Sequence, residues 1–127
     1  MFKLIKISFG ILLFPLLVNA QEIAILKYNG GGDWYANPTA LPNLIKFTNA
    51  QCRTSIDTNI ATISPSSTDI FNYPILFVTG HGNIFFNEDD IENLRNYLIS
   101  GGFIHISDNY GLDKYIRKEL KLSLIHI

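Results

Sequence analysis

The chain has 127 residues, of which 47% are hydrophobic and 17% charged, with ordinary amounts of Gly and Pro. This composition excludes intrinsic disorder, collagen-like repeats and coiled coil, and the length admits one small domain but not two. Removing Lys3 and Lys6 with the leader described next takes the net charge from −1 to −3, and no basic face is evident, so nucleic acid is not expected as a partner.

Residues 1–20 read as a signal peptide. Lys3 and Lys6 form a positive start, Ile7 to Val18 is almost entirely apolar, and Val18-Asn19-Ala20 fits the small-x-Ala cleavage pattern. The apolar run is short for a span of about 20 residues. The mature protein is therefore expected to begin at Gln21 and to be exported, periplasmic or secreted. Its only membrane link is then the export signal. Cys52 is the single cysteine, so no internal disulfide forms, and an inert thiol is the expectation.

Glu22 to Tyr28 reads as a first strand, broken by Asn29-Gly30-Gly31-Gly32-Asp33. Leu41, Leu44, Ile45 and Thr48 then recur at helical spacing, with Pro42 in the first turn. Ser55 to Ile60, extending toward Ile63, reads as a second strand. Ser67 to Phe71 reads as a single helical turn capped by a serine. Pro74 to Thr79 is continuously apolar, as a parallel strand buried on both faces requires, and it runs into Gly80-His81-Gly82.

Asn87 caps the clearest helix, with Glu88, Asp89 and Asp90 in its first turn and Gly101-Gly102 as its stop. Phe103 to Ser107 is a fourth strand, leading into Asp108-Asn109-Tyr110-Gly111. Leu112 to Lys121 opens a third helix. Strands alternating with helices predict an α/β sandwich around a mainly parallel sheet. Four strands are few for this class, which makes a C-terminally truncated domain over residues 21–121 the expectation. Residues 122–127 resemble a translated sequencing-adapter read-through and are read as a non-native tail. A short final strand is the alternative reading of the same six residues.

Three stretches carry a family resemblance. They are Lys27 to Tyr35 with Asn37-Pro38-Thr39 and Leu41 to Leu44, then Tyr73 to Gly82, then Leu94 to Phe103 running on to Asp108. Together they resemble the DUF4159 family. The resemblance implies a bacterial protein, often exported or membrane-associated, of unknown function. It also implies a flavodoxin-like three-layer sandwich similar to class I glutamine amidotransferases, in chains that continue well past residue 127.

In open parallel sheets, ligands bind outside the carboxyl ends of the strands. Three clusters are predicted to arrive there: Gly31, Gly32, Asp33 and Trp34; Gly80, His81 and Gly82; and Asp108 with Asn109. No G-x-C-x-G or G-x-S-x-G occurs, and Cys52 precedes a strand instead of following one, so amidotransferase chemistry is disfavoured.

His81 fits a general base, a metal ligand or a loop pin, and its flanking glycines admit a ligand or a second backbone segment. His105, inside a strand, reads as a satisfied core or packing residue. Asp33 orients His81, binds a metal or caps its loop. Trp34 and Tyr35 stack on a sugar or aromatic ligand, or cover the helix. Asp108 contributes to the site or caps the following helix.

The leading functional expectation is an exported, non-catalytic binding or scaffold domain. It would serve an unknown small ligand or protein partner, with no metal or cofactor assigned. The alternative is a hydrolase-type or metal-assisted enzyme using His81, Asp33 and Asp108.

Overall fold

The first strand, β1 (Ile23–Leu26), lies inside the sheet because its side chains are apolar on both faces. It is followed by α1 (Ala40–Cys52), β2 (Ala61–Ile63), a 3₁₀ turn (Thr68–Asn72), β3 (Ile75–His81), α2 (Glu88–Ile99), β4 (Phe103–Tyr110) and α3 (Asp113–Leu124). The computed structural model describes residues 22–124, so the signal peptide expected over residues 1–20 and the final residues 125–127 lie outside the described residues. The strands form one sheet in the order β2-β1-β3-β4, and every pairing is parallel. This is the α/β fold expected, consistent with a flavodoxin-like sandwich.

Alternate residues of the central strands feed opposite faces, as the period-2 pleat dictates. Ile23 and Phe77 pack on Leu41 and Ile45 of α1. Ala24, Leu26, Leu76 and Val78 join Leu94 and Tyr97 of α2 and Ile116 of α3 in the larger core on the other face. Helices therefore cover both faces of β3, and its unbroken apolar run is what that burial requires.

The caps follow the sequence closely. Asn87 and Asp90 form a reciprocal capping box on α2, and the Ser67 hydroxyl accepts from Asp69 N–H. Gly101 (φ +98°) takes the left-handed step after α2. Gly102 follows directly under the Tyr97 ring, where a Cβ would overlap its carbons. The Tyr97 hydroxyl donates to the carbonyls of Tyr73 (2.8 Å) and Phe103 (3.3 Å), which ties α2 to the starts of β3 and β4.

Several boundaries differ from the sequence expectation. The second strand occupies Ala61–Ile63 and not Ser55–Ile60. The Asn49 side chain is the cause. Its Oδ1 accepts from Ile56 N–H and the Thr54 hydroxyl, its Nδ2 donates to the Ile56 carbonyl, and Asp57 turns onto Asn59 N–H. These local bonds hold 54–59 in a loop and leave no ladder partners there. Both β3 and β4 run further than expected, so Gly80, His81, Asp108 and Asn109 belong to strand ends. Helix α3 continues to Leu124, so Leu122–Leu124 are helical in backbone and not part of a final strand.

Two side chains singled out in the sequence lie at the surface. Cys52, the single cysteine, is exposed. His105 is exposed, with its ring stacked on Phe77 at 5.3 Å between centroids. It packs, but outside the core. The cover provided by α1 stops short of β4, and neighbouring Phe103 stays 58% exposed for the same reason.

Candidate functional site

Parallel strands deliver their carboxyl ends to one edge, and the loops after β1 and β3 meet there. The contact is backbone on backbone. Phe85 N–H donates to the Asn29 carbonyl (2.8 Å), forming an isolated antiparallel bridge. A Cβ at Gly30 would press on Ile84 and Phe85, and one at Gly32 would overlap the carbonyl oxygens of Asn83 and His81. Gly80 has a third such constraint, because its missing Cβ is the space filled by the Tyr28 hydroxyl. That hydroxyl donates to the Thr79 carbonyl at 3.0 Å. Of the glycines named as candidate ligand contacts, Gly32 and Gly80 thus serve close packing between segments. Gly31 (φ +85°) and Gly82 (φ +72°) have open space where a side chain would be.

This docking brings Asp33 onto His81. One carboxylate oxygen accepts from His81 backbone N–H, and the other meets His81 Nδ1 at 2.8 Å. The backbone N–H of His81, then its ring, hold the Asp33 carboxyl below the usual carboxylate range against a desolvation effect of opposite sign. His81 is half exposed, and Nε2 has no hydrogen-bond partner among the described residues. A carboxylate on Nδ1 fixes the Nδ1–H tautomer, which leaves the Nε2 lone pair at the open edge. That nitrogen is equipped to accept a hydrogen bond, take a proton or ligate a cation.

Asp108 does not join the pair. Its two oxygens accept from Leu112 N–H (3.0 Å) and Asp113 N–H (3.1 Å), and so close the entry to α3. Among the described residues no three His, Cys, Asp or Glu side chains gather closely enough to hold a metal ion. Asn109 lies at a ladder irregularity, since Gly80 pairs with Asp108 while His81 pairs with Tyr110. The extra residue re-aims the Asn109 amide, as a bulge does. Its Nδ2 donates to Thr79 Oγ1 (3.3 Å), and its Oδ1 accepts from Asn37 Nδ2 (2.6 Å). Asn37 sits at φ +55°, a left-handed conformation that asparagine tolerates.

Trp34 packs against the larger core, with the Lys27 ammonium 5.6 Å from its ring centre, so it covers hydrophobic surface. Tyr35 meets Trp34 edge-on at 5.5 Å and remains 66% exposed.

Sequence reasoning missed Tyr28, Thr79 and Asn37, all of which hold the site together. Tyr28 alone carried a readable signal, as an aromatic ending a strand directly before the glycines. Burial, and next the Asp33 charge, push the Tyr28 hydroxyl up to about 12. A raised value favours the neutral form in the folded state. The corresponding stability is therefore complete below the usual tyrosine value near 10 and is lost as pH rises toward about 12. The expected loss is roughly 2–3 kcal/mol. Urea melts between pH 9 and 12 on wild type and Tyr28→Phe will check this, because the variant's stability lacks that decline.

The assembly is thus a three-layer α/β sandwich with a carboxylate-oriented histidine on the rim of its sheet. The family model of DUF4159, a domain of unknown function, matches residues 22–124, and the chain belongs to that family. No curated protein matches the chain.

Proposed function

We propose that the protein is an exported, non-catalytic binding domain that takes its ligand or protein partner at the rim around His81. One observation carries this reading: Asp33 holds Nδ1 at an exposed strand end, and Nε2 has no hydrogen-bond partner among the described residues. The commitment of Asp108 to α3 supports binding over catalysis, because it removes from the rim the second carboxylate that an enzyme built on His81, Asp33 and Asp108 would use. Export is supported by Lys3, Lys6, the apolar run and the Val18-Asn19-Ala20 site. N-terminal sequencing of the periplasmic fraction should start at Gln21, and an intact Met1 in membranes would overturn the export assignment.

A second reading keeps the same two residues. A histidine oriented by a carboxylate is the arrangement of a general base, which favours a hydrolase-type or metal-assisted enzyme. A thermal-shift screen of small ligands and divalent metals, run beside ester and phosphoester turnover, separates the readings. Binding without turnover supports the first, and turnover abolished by His81→Ala supports the second. His81→Ala should alter stability by no more than about 0.5 kcal/mol, as expected for a rim side chain, while removing the ligand response. A loss above about 2 kcal/mol with the ligand response intact would make His81 a structural pin.

A further inference from the structure

The segment Asp33 to Asn37 is an arc fastened at both ends to the rim. Asp33 is held on His81, and Ala36 N–H closes a turn onto the Asp33 carbonyl at 2.8 Å. Asn37 is held on Asn109. Tyr35 lies at the middle of this arc, 66% exposed. Tyr110 stands opposite His81 in the β3–β4 register and is 82% exposed. Two tyrosines thus lie in the open within one short perimeter that also contains a carboxylate, a bare imidazole nitrogen and two amides.

We propose that this perimeter binds a neutral saccharide, with sugar faces against Tyr35 and Tyr110 and hydroxyls paired to His81, Asn37 and Asn109. The proposal rests on the binding reading above and names its ligand class. Three features select this chemistry. Exposed tyrosine rings present flat apolar area with little conformational freedom to lose, which suits the C–H faces of a sugar ring. Beyond the Asn37–Asn109 and Asn109–Thr79 bonds, each amide NH₂ keeps a second N–H and Asn37 its Oδ1, and Nε2 offers an acceptor, which matches hydroxyls that both donate and accept. The Asp33 carboxylate opposes an anionic ligand, and an ammonium ion has no acceptor for the amide N–H groups. The fixed arc also pre-positions Tyr35, which limits the ordering cost of binding.

Saturation-transfer NMR on the 127-residue chain with a panel of neutral soluble oligosaccharides tests the proposal, together with ¹H–¹⁵N spectra of the His81 ring in the presence of the same sugars and of tetramethylammonium and Zn²⁺ as comparison probes. At least one oligosaccharide should bind. Tyr35→Ala and Tyr110→Ala should each weaken it about tenfold, with unchanged melting temperatures, while Tyr35→Phe and Tyr110→Phe stay within about threefold. Affinity that survives both alanine variants would overturn the stacking role. If no sugar binds but a comparison probe shifts the His81 resonances, the saccharide assignment fails and the binding reading stands. If neither set moves His81, both fail.

Discussion

Gly102→Ala should destabilise the domain by roughly 3 kcal/mol or more, an overpacking effect at the upper end of its usual range. The new Cβ would overlap three carbons of the Tyr97 ring, which is 2% exposed and has nowhere to swing. Two hydrogen bonds fix that ring from its far end, at the Tyr73 and Phe103 carbonyls. Relief by moving Tyr97 therefore detaches α2 from the starts of β3 and β4. Relief by moving the backbone strains Gly102 N–H, which bonds the Tyr97 carbonyl at 3.0 Å. Chemical denaturation of wild type and variant measures the loss. Gly101→Ala is the informative neighbour, because its side chain meets open space and only its φ of +98° is unfavourable. It should destabilise less than Gly102→Ala.

The second large effect is expected at Gly80, where two penalties combine. A Cβ there would overlap the Tyr28 hydroxyl, and the residue sits at φ +150°, which L side chains rarely adopt. Gly80→Ala should cost about 3 kcal/mol and loosen the seam between the loops after β1 and β3. Tyr28→Phe alone removes the bond to the Thr79 carbonyl and should cost about 1 kcal/mol. The double variant is the discriminating case. Removing the hydroxyl opens the space that the methyl needs, so the combined loss should be smaller than the sum of the two. Strict additivity in urea melts would show that backbone conformation, and not the tyrosine, makes glycine necessary at this position.

Much of the architecture was legible from local chemistry. Asn87 with the acidic residues after it announced a capped helix, and the apolar run from Ile75 to Val78 announced a strand buried on both faces. Parallel connection then sufficed to expect Asp33 and His81 at one edge. The misreadings come from side chains that bond across the chain. Asn49 reaches seven residues forward to Ile56 and so converts an expected strand into a loop. Asp108 faced two possible acceptor roles, and the α3 entry claimed it. The irregularity at Asn109 has no sequence signature, because it depends on how β3 and β4 align. The glycines left open whether a ligand or a second segment of the chain comes close, and Gly32 and Gly80 accommodate atoms of the protein itself. From sequence, a glycine shows only that a side chain is absent, and what fills the space is a tertiary matter.

Binding at the rim depends most on Asp33 fixing the His81 ring with Nε2 free. Long-range ¹H–¹⁵N correlation NMR at pH 8.5, with His81 assigned from the signal that His81→Ala deletes, reads the tautomer directly. A proton on Nδ1 and a bare Nε2 in the wild type, shifting toward the Nε2–H form in Asp33→Ala, is the predicted result. A wild-type ring protonated mainly on Nε2, unchanged by Asp33→Ala, would contradict it.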